Sequence, residues 1–318
     1  MCSEVRGLLQ EPGRRWPSTL SAASGQRMIT ILTSLRPFEG DAAVRQRNAL
    51  ASWRALGPEV EIMAFASPGG LGDAADEYGV KQVSGLPAFE GRLPRVDAFF
   101  AYAQEHGQHD LQVYLNGDII LFPDFAGVMR KIRLPRWVAI GQRTDVGVSE
   151  ELAFGEAGKA LRDKLFSVGQ LHDIGGIDYF VWRRGSLPPL PPLYLGSAAW
   201  DNIFICCCRR SGIPVVDATR AVTVFHQNHE ARRLEDGRRE AYEGPAAVWN
   251  REQAPDPLCL FYTTDASHWL DNQGRLRSSL TSPRHAWRMV FTWPILRNWP
   301  RPARLPFRLA AAIVRRLG

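Results

Sequence analysis

The chain has 318 residues, 45% hydrophobic and 23% charged, enough to bury the core of one large domain or two small ones. No apolar run reaches the roughly 18–20 residues of a bilayer span, and residues 1–27 lack the continuous apolar core of a secretory signal. The formal charge of +6 is a property of the C-terminal end: from Asn272 onward there are ten arginines and no acid, and subtracting those ten leaves −4 for residues 1–271.

Residues 1–27 read as a disordered leader, with Met28 as an alternative start. MITILT (28–33) predicts a first strand, and SLRPFEG follows as a loop. DAAVRQRNALASWRALG predicts a helix with Asp41 as N-cap and Val44, Leu50, Trp53 and Leu56 near helical spacing. EVEIMAF (59–65) is the next strand, LGDAADEYGV a short helix and KQVSG a third strand. PRVDAFFAYAQEHG predicts a helix starting at Pro94 and ending on Gly107, which leads into LQVYLNGDIIL. FPDFAGVMRKI (122–132) is another helix and WVAIGQR (137–143) another strand. Strand and helix alternate four times within about 115 residues, the pattern of a doubly wound, mainly parallel α/β sheet.

The second half is less regular. SEELAFGEAGKALRDKLFSVG reads as a polar, helical insertion, DYFVWRRG (178–185) as a strand and LPPLPPLY as a proline-rich loop. AAWDNIFICCCRRSG predicts a helix ending on Gly212, and IPVVDATRAVTVFHQNHE two short strands around DAT. The cysteines are Cys2, Cys206, Cys207, Cys208 and Cys259, with no CxxC pair. That excludes a zinc ribbon and a disulfide framework, and predicts buried, reduced thiols in a cytoplasmic protein.

In open α/β sheets ligands bind beyond the carboxyl ends of the strands. Thr33, Asp118, Arg143 and His226 all fall at or just past such ends. Asp118, with His226 and His229 of HQNHE, supplies a carboxylate and imidazoles. With oxygens from a diphosphate, that donor set suits a divalent ion such as Mn²⁺. The competing readings are a turn residue for Asp118 and a structural HxxH for the histidines.

TSLRPF, RQRNALASW, EVEIMAF, YLNGDIIL, GIDYFVW, GSAAWDNIF, VVDAT and HQNHE occur in this order between about Met28 and Glu230. The series resembles a family of GT-A-like glycosyltransferases of bacteria and plants. The resemblance implies a GT-A-like fold, assigned to 28–271, and the acid-free, arginine- and aromatic-rich composition beyond it reads as a C-terminal extension, a basic aromatic tail, over 272–318. It implies a nucleotide-sugar co-substrate, a divalent metal (Mn²⁺ or Mg²⁺) and a glycan or lipid-linked acceptor. NGD is similar to the family's DxD-type element, with Asn116 at the first acidic position, so Asp118 becomes the carboxylate that matters most. HQNHE is similar to a histidine segment that completes the metal site, and leaves His226 and His229 as alternatives. Thr33 and Ser34 follow the first strand where this fold places nucleobase and ribose.

Arg36, Arg47 and Arg143 are candidates for phosphate contacts, with surface arginines as the alternative reading. Gly176, beside Gly175, allows close approach of backbone to a sugar or phosphate, and Asp178 is a candidate for sugar hydroxyls; a plain turn into a strand competes. Asp201 of WDN is either a helix N-cap or, as the resemblance implies for an inverting enzyme, the base that takes the acceptor proton.

Residues 284–317 mix tryptophans and phenylalanines with arginines, and LPFRLAAAIVRRLG can form an amphipathic helix. The expectation is a peripheral contact with an anionic membrane face, or packing onto the domain, in preference to nucleic acid. A non-catalytic protein that binds a sugar nucleotide or glycan is the alternative function, made plausible by Asn116. A nucleotidyltransferase is a weaker third.

Overall fold

The computed structural model describes residues 28–307 except 68, 156–157, 230–234 and 305. The expected leader over 1–27 and nearly all of the expected C-terminal amphipathic helix lie outside the described residues. The first half runs β1 (Ile29–Leu35), α1 (Gly40–Arg54), β2 (Glu61–Ala66), α2 (Ala74–Glu77), β3 (Val80–Val83), β4 (Ala88–Phe89), β5 (Leu93–Pro94), α3 (Val96–His106), β6 (Leu111–Leu115), β7 (Ile119–Ile120), α4 (Asp124–Met129), β8 (Val138–Ile140) and β9 (Thr144–Val146). The second half adds α5 (Gly158–Val168), β10 (Gln170–Leu171), β11 (Tyr179–Arg183), α6 (Trp200–Arg210), β12 (Val215–Asp217), β13 (Phe225–Gln227), α7 (Glu235–Glu243), α8 (Pro245–Glu252), β14 (His268–Leu270), β15 (Leu276–Ser278) and α9 (Pro283–Leu296).

Alternation along β1 shows how the layers form. Ile29, Ile31 and Leu35 join Leu50 and Trp53 of α1 and Phe125 and Met129 of α4 in one core. Leu32 points the other way, into a second core with Phe99 and Phe100 of α3 and Ile203 and Phe204 of α6. Between these cores lies a sheet ordered β15-β14-β12-β8-β11-β6-β1-β2-β3. Its ladders are parallel except where β11 runs against β6 and β8, and where β15 pairs with β14. The fold is therefore α/β, doubly wound and mainly parallel, as expected.

Several details differ from the sequence reading. The N-cap of α1 is Glu39, so Asp41 lies inside the first turn. Pro94 belongs to the two-residue strand β5, and α3 starts at Val96. A second sheet, ordered β10-β9-β13-β7, was not anticipated. Its strands have two or three residues, too short for any period to register. Residues beyond 271 are built into the fold: β15 extends the large sheet, and α9 is tied to β12 by His285 and Asp217, whose Nε2 and Oδ2 are 3.1 Å apart.

Cys206 and Cys259 form a disulfide, which corrects the expectation that all the thiols are reduced. The partners are 53 residues apart, a pairing that local cysteine spacing cannot reveal. Cys207 and Cys208 are buried free thiols. The cysteines thus lose their value as an argument for a reducing compartment. Among the described residues, no helix is long and apolar enough to cross a membrane.

Candidate functional site

Three times the chain leaves the large sheet and adds a short strand to the small one. It passes from β6 to β7 across residues 116–118, from β8 to β9 across 141–143, and from β12 to β13 across 218–224. The first crossing runs close to the end of β1. A Cβ on Gly117 would come within 2.8 Å of the Leu35 side chain and 3.4 Å of the Ser34 carbonyl. A side chain at 117 would therefore displace the buried end of Leu35, and glycine avoids that crowding. It seats Asp118 at the carboxyl edge of the parallel strands.

Asp118 is then fixed from behind. Its carbonyl accepts from the backbone N–H of Gln227 (3.2 Å) and from that residue's Nε2 (3.1 Å). The Gln227 Oε1 in turn accepts from Nδ2 of Asn48, a buried polar residue on α1, at 2.9 Å. In front, Asp118 Oδ2 lies 3.3 Å from His226 Nε2 and 3.5 Å from His229 Nε2. One ligand atom from each of the three lies within 4.8 Å of the others. The sequence left the two histidines as alternatives; the fold brings both to Asp118.

A polar chain runs away from this cluster. Asp145, on β9 and in register with His226 on β13, faces His226 Nδ1 at 3.0 Å and His172 Nδ1 at 2.6 Å. Arg143 Nε donates to Asp145 (2.8 Å) and its Nη1 to Asp178 (2.5 Å). Asp178 also accepts from the Asn116 amide, and the Asn116 Oδ1 accepts from the Tyr114 hydroxyl at 3.2 Å. Every strand of the small sheet thus carries or adjoins one member of the chain: Asp118 before β7, Asp145 in β9, His172 after β10 and His226 in β13.

Burial alone would raise the carboxyl of Asp118, but the neighbouring His226 and His229 hold it well below the usual range. Burial likewise pulls His226 down, yet the Asp118 charge and the bonds to Asp118 and Asp145 outweigh it and carry His226 up to about 9. The folded protein therefore prefers the imidazolium. Its contribution to stability is complete below the ordinary value of 6.5 and is lost as pH rises through about 9. Thermal midpoints measured without added divalent ions should fall across that window. A flat profile would show that His226 is already neutral in the fold.

The cluster fits a divalent cation. Asp118 Oδ1 is buried with no hydrogen-bond partner among the described residues, as is His229 Nδ1. A buried acceptor left unpaired costs about 1–3 kcal/mol, which a cation bound by the carboxylate would relieve. One carboxylate and two imidazoles form a donor set for a first-row transition ion. With Asp145 holding its Nδ1, His226 presents Nε2 toward Asp118.

The other expected residues divide into two groups. Thr33 is fully buried with its hydroxyl unpartnered among the described residues, and Ser34 is half-buried at the end of β1. Ser34 is in register with Phe65, which with Ser67, Gln82 and Ser84 among others lines a cleft of about 400 Å³ at the carboxyl ends of β2 and β3. Arg36, just past β1, is exposed. Arg47 does not join the cluster, because it pairs with Glu77. Asn116, Arg143 and Asp178 are close by, but they bond one another. A Cβ on Gly176 would lie 2.3 Å from the His172 ring, so this glycine makes room for a side chain of the chain itself.

Asp201 is not the N-cap of α6. That position is Ala199, in the left-handed region at φ 75°, and Asp201 sits half-buried in the first turn. Trp200 beside it packs against Tyr114 with ring centroids 5.3 Å apart, so the start of α6 adjoins the Tyr114–Asn116 end of the polar chain. Asp145, His172, Gln227 and Asn48 were missed by sequence reasoning. The three-residue strand Thr144–Val146 has a single apolar residue, so no pattern set Asp145 apart.

No family model and no curated protein sequence matches the chain. Its structure is similar to solved structures of glucosyl-3-phosphoglycerate synthase from Mycobacterium tuberculosis. One, in complex with Mn²⁺, uridine diphosphate and glucosyl-3-phosphoglycerate, is 19% identical with a TM-score of 0.40 over 78% of this chain and 89% of that one. Another is 17% identical with a TM-score of 0.41 over 78% and 88%. A third, with Mn²⁺, UDP-glucose and phosphoglyceric acid, is 15% identical with a TM-score of 0.39 over 78% and 89%. At these values the likeness carries no argument about activity, which rests on the site.

Proposed function

We propose that the chain is a metal-dependent glycosyltransferase that moves a sugar from a nucleotide-sugar donor to a hydroxyl of a glycan or lipid-linked acceptor. The observation that carries this reading is the convergence of Asp118, His226 and His229 at the carboxyl edge of the parallel strands, just past the end of β6. A divalent ion held there offsets charge on a departing nucleoside diphosphate. Its donor set, with two nitrogens, favours Mn²⁺ over Mg²⁺. Ser34 and the cleft wall receive the nucleoside. Arg143, already paired to Asp145 and Asp178, holds the polar chain rigid rather than reaching for phosphate. Asp201, at the start of α6, takes the proton of the attacking acceptor hydroxyl, the role of a base in an inverting transfer.

A panel of nucleotide-sugars, assayed for nucleoside diphosphate release with and without Mn²⁺, tests the reading. Mn²⁺-dependent turnover of one donor supports it, and a product of unchanged anomeric configuration overturns the inverting scheme. A second reading, a non-catalytic binder, is favoured by one observation. Asn116 stands where the family has an acid, and its amide is committed to Tyr114 and Asp178. Mn²⁺-dependent donor binding without turnover on any acceptor would favour that reading.

A further inference from the structure

α9 is held to the domain by its inner face. His285 Nδ1 is 2.8 Å from Ser282 Oγ while its Nε2 reaches Asp217, and Arg288 donates two bonds to buried Asp265 (2.8 and 2.9 Å). Arg210 adds a bond to the Ile295 carbonyl at 3.1 Å. The helix therefore cannot roll, and its outward face is fixed. That face is unlike the rest of the surface. Trp287, Val290 and Trp293 are 46%, 46% and 45% exposed, Leu280 just before the helix is 70% exposed, and Trp299 just after it is 38% exposed. Arg284 and Arg297 stand exposed at its two ends and make no ion pair among the described residues. The Arg297 guanidinium lies 4.4 Å from the Trp293 ring centre.

We propose that this face of α9 seats the protein on an anionic lipid surface. Tryptophan rings in contact with water, flanked by unpaired arginines, suit the headgroup layer, where the ring body is apolar and its N–H stays wet. Charge selects the occupant. No acid occurs from Asn272 to the end of the chain, so a basic or neutral partner finds nothing to pair with, and an anionic one meets unpaired arginines. The chain also continues in the same character. Residues 308–318 comprise three arginines, seven apolar residues and one glycine. The proposal is independent of the catalytic reading.

The test uses the full chain and vesicles of phosphatidylcholine with or without phosphatidylglycerol. Sedimentation should require phosphatidylglycerol and weaken as salt is raised. Tryptophan emission should shift to the blue on binding. Arg284→Gln with Arg297→Gln should lower partitioning roughly thirtyfold, the attraction of a surface for two arginines. Trp287→Ser with Trp293→Ser should lower it without changing the thermal midpoint, because neither ring is part of a core. Equal binding to both vesicle types, or undiminished binding of these variants, overturns the proposal. So does a tryptophan variant that dissociates a dimer yet still binds vesicles, since the face then belongs to a second copy of the chain.

Discussion

Asp118→Ala should abolish the Mn²⁺-dependent part of nucleoside diphosphate binding in calorimetry. Asp118 supplies the only carboxylate of the three-residue cluster and the charge that both histidines face. Loss of an outer-shell partner already weakens metal sites about 10- to 100-fold, so loss of a donor should exceed about 100-fold. Asp145→Asn should fall within that smaller range, because it leaves the three donors in place and disturbs what orients His226, along with the contacts to His172 and Arg143. The two variants also differ without metal. Asp118→Ala removes the largest attraction holding His226 protonated, so the fall in thermal midpoint toward pH 9 should shrink. Retention of Mn²⁺-dependent binding by Asp118→Ala would show that the ion binds elsewhere.

Asp201→Asn separates catalysis from helix electrostatics. An acid in the first turn contributes roughly 0.3–1 kcal/mol through the helix dipole, so a purely structural Asp201 would cost that much stability and leave turnover intact. A base would add a loss of turnover to that cost. Turnover should fall roughly 10²–10⁴-fold, with little change in donor affinity. Near-normal turnover in the Asn variant would leave Asp201 with the structural role alone.

The large sheet was legible because its strands are apolar runs punctuated by helices with usable ends, such as Gly107 after α3. Its antiparallel strands, β11 and β15, were not. Nothing in YFVWR distinguishes a strand running against its neighbours from one running with them. The small sheet was invisible for a different reason. In YLNGDIIL the apolar run resumes after three residues, and pattern alone treats Ile119 and Ile120 as more of the same strand. The pair in fact belongs to another sheet.

Asp118 and the histidines could be singled out despite this error because they are unusual residues at strand ends. The residues that hold them did not. Gln46, Asn48 and Ser52 on α1 look like a solvated helix face, yet all three are buried and bond loop and strand backbone or side chains around the site. The same polarity lowers the apparent amphipathicity of α1, since part of its inward side is spent on hydrogen bonds.

The pairing of the small sheet also bears on when the site comes into being. Among the described residues, β7 at Ile119–Ile120 has no ladder partner except β13 at Phe225–Gln227, more than a hundred residues later. A growing chain that has produced Asp118 holds it on an unpaired segment until His226 and His229 have been made, and until α6 has packed against the sheet. Closing a loop of that length is among the slower steps available to a domain. The cluster should therefore assemble after the β1–β2–β3 half is already in place, making cation capture a late event in folding rather than a seed for it.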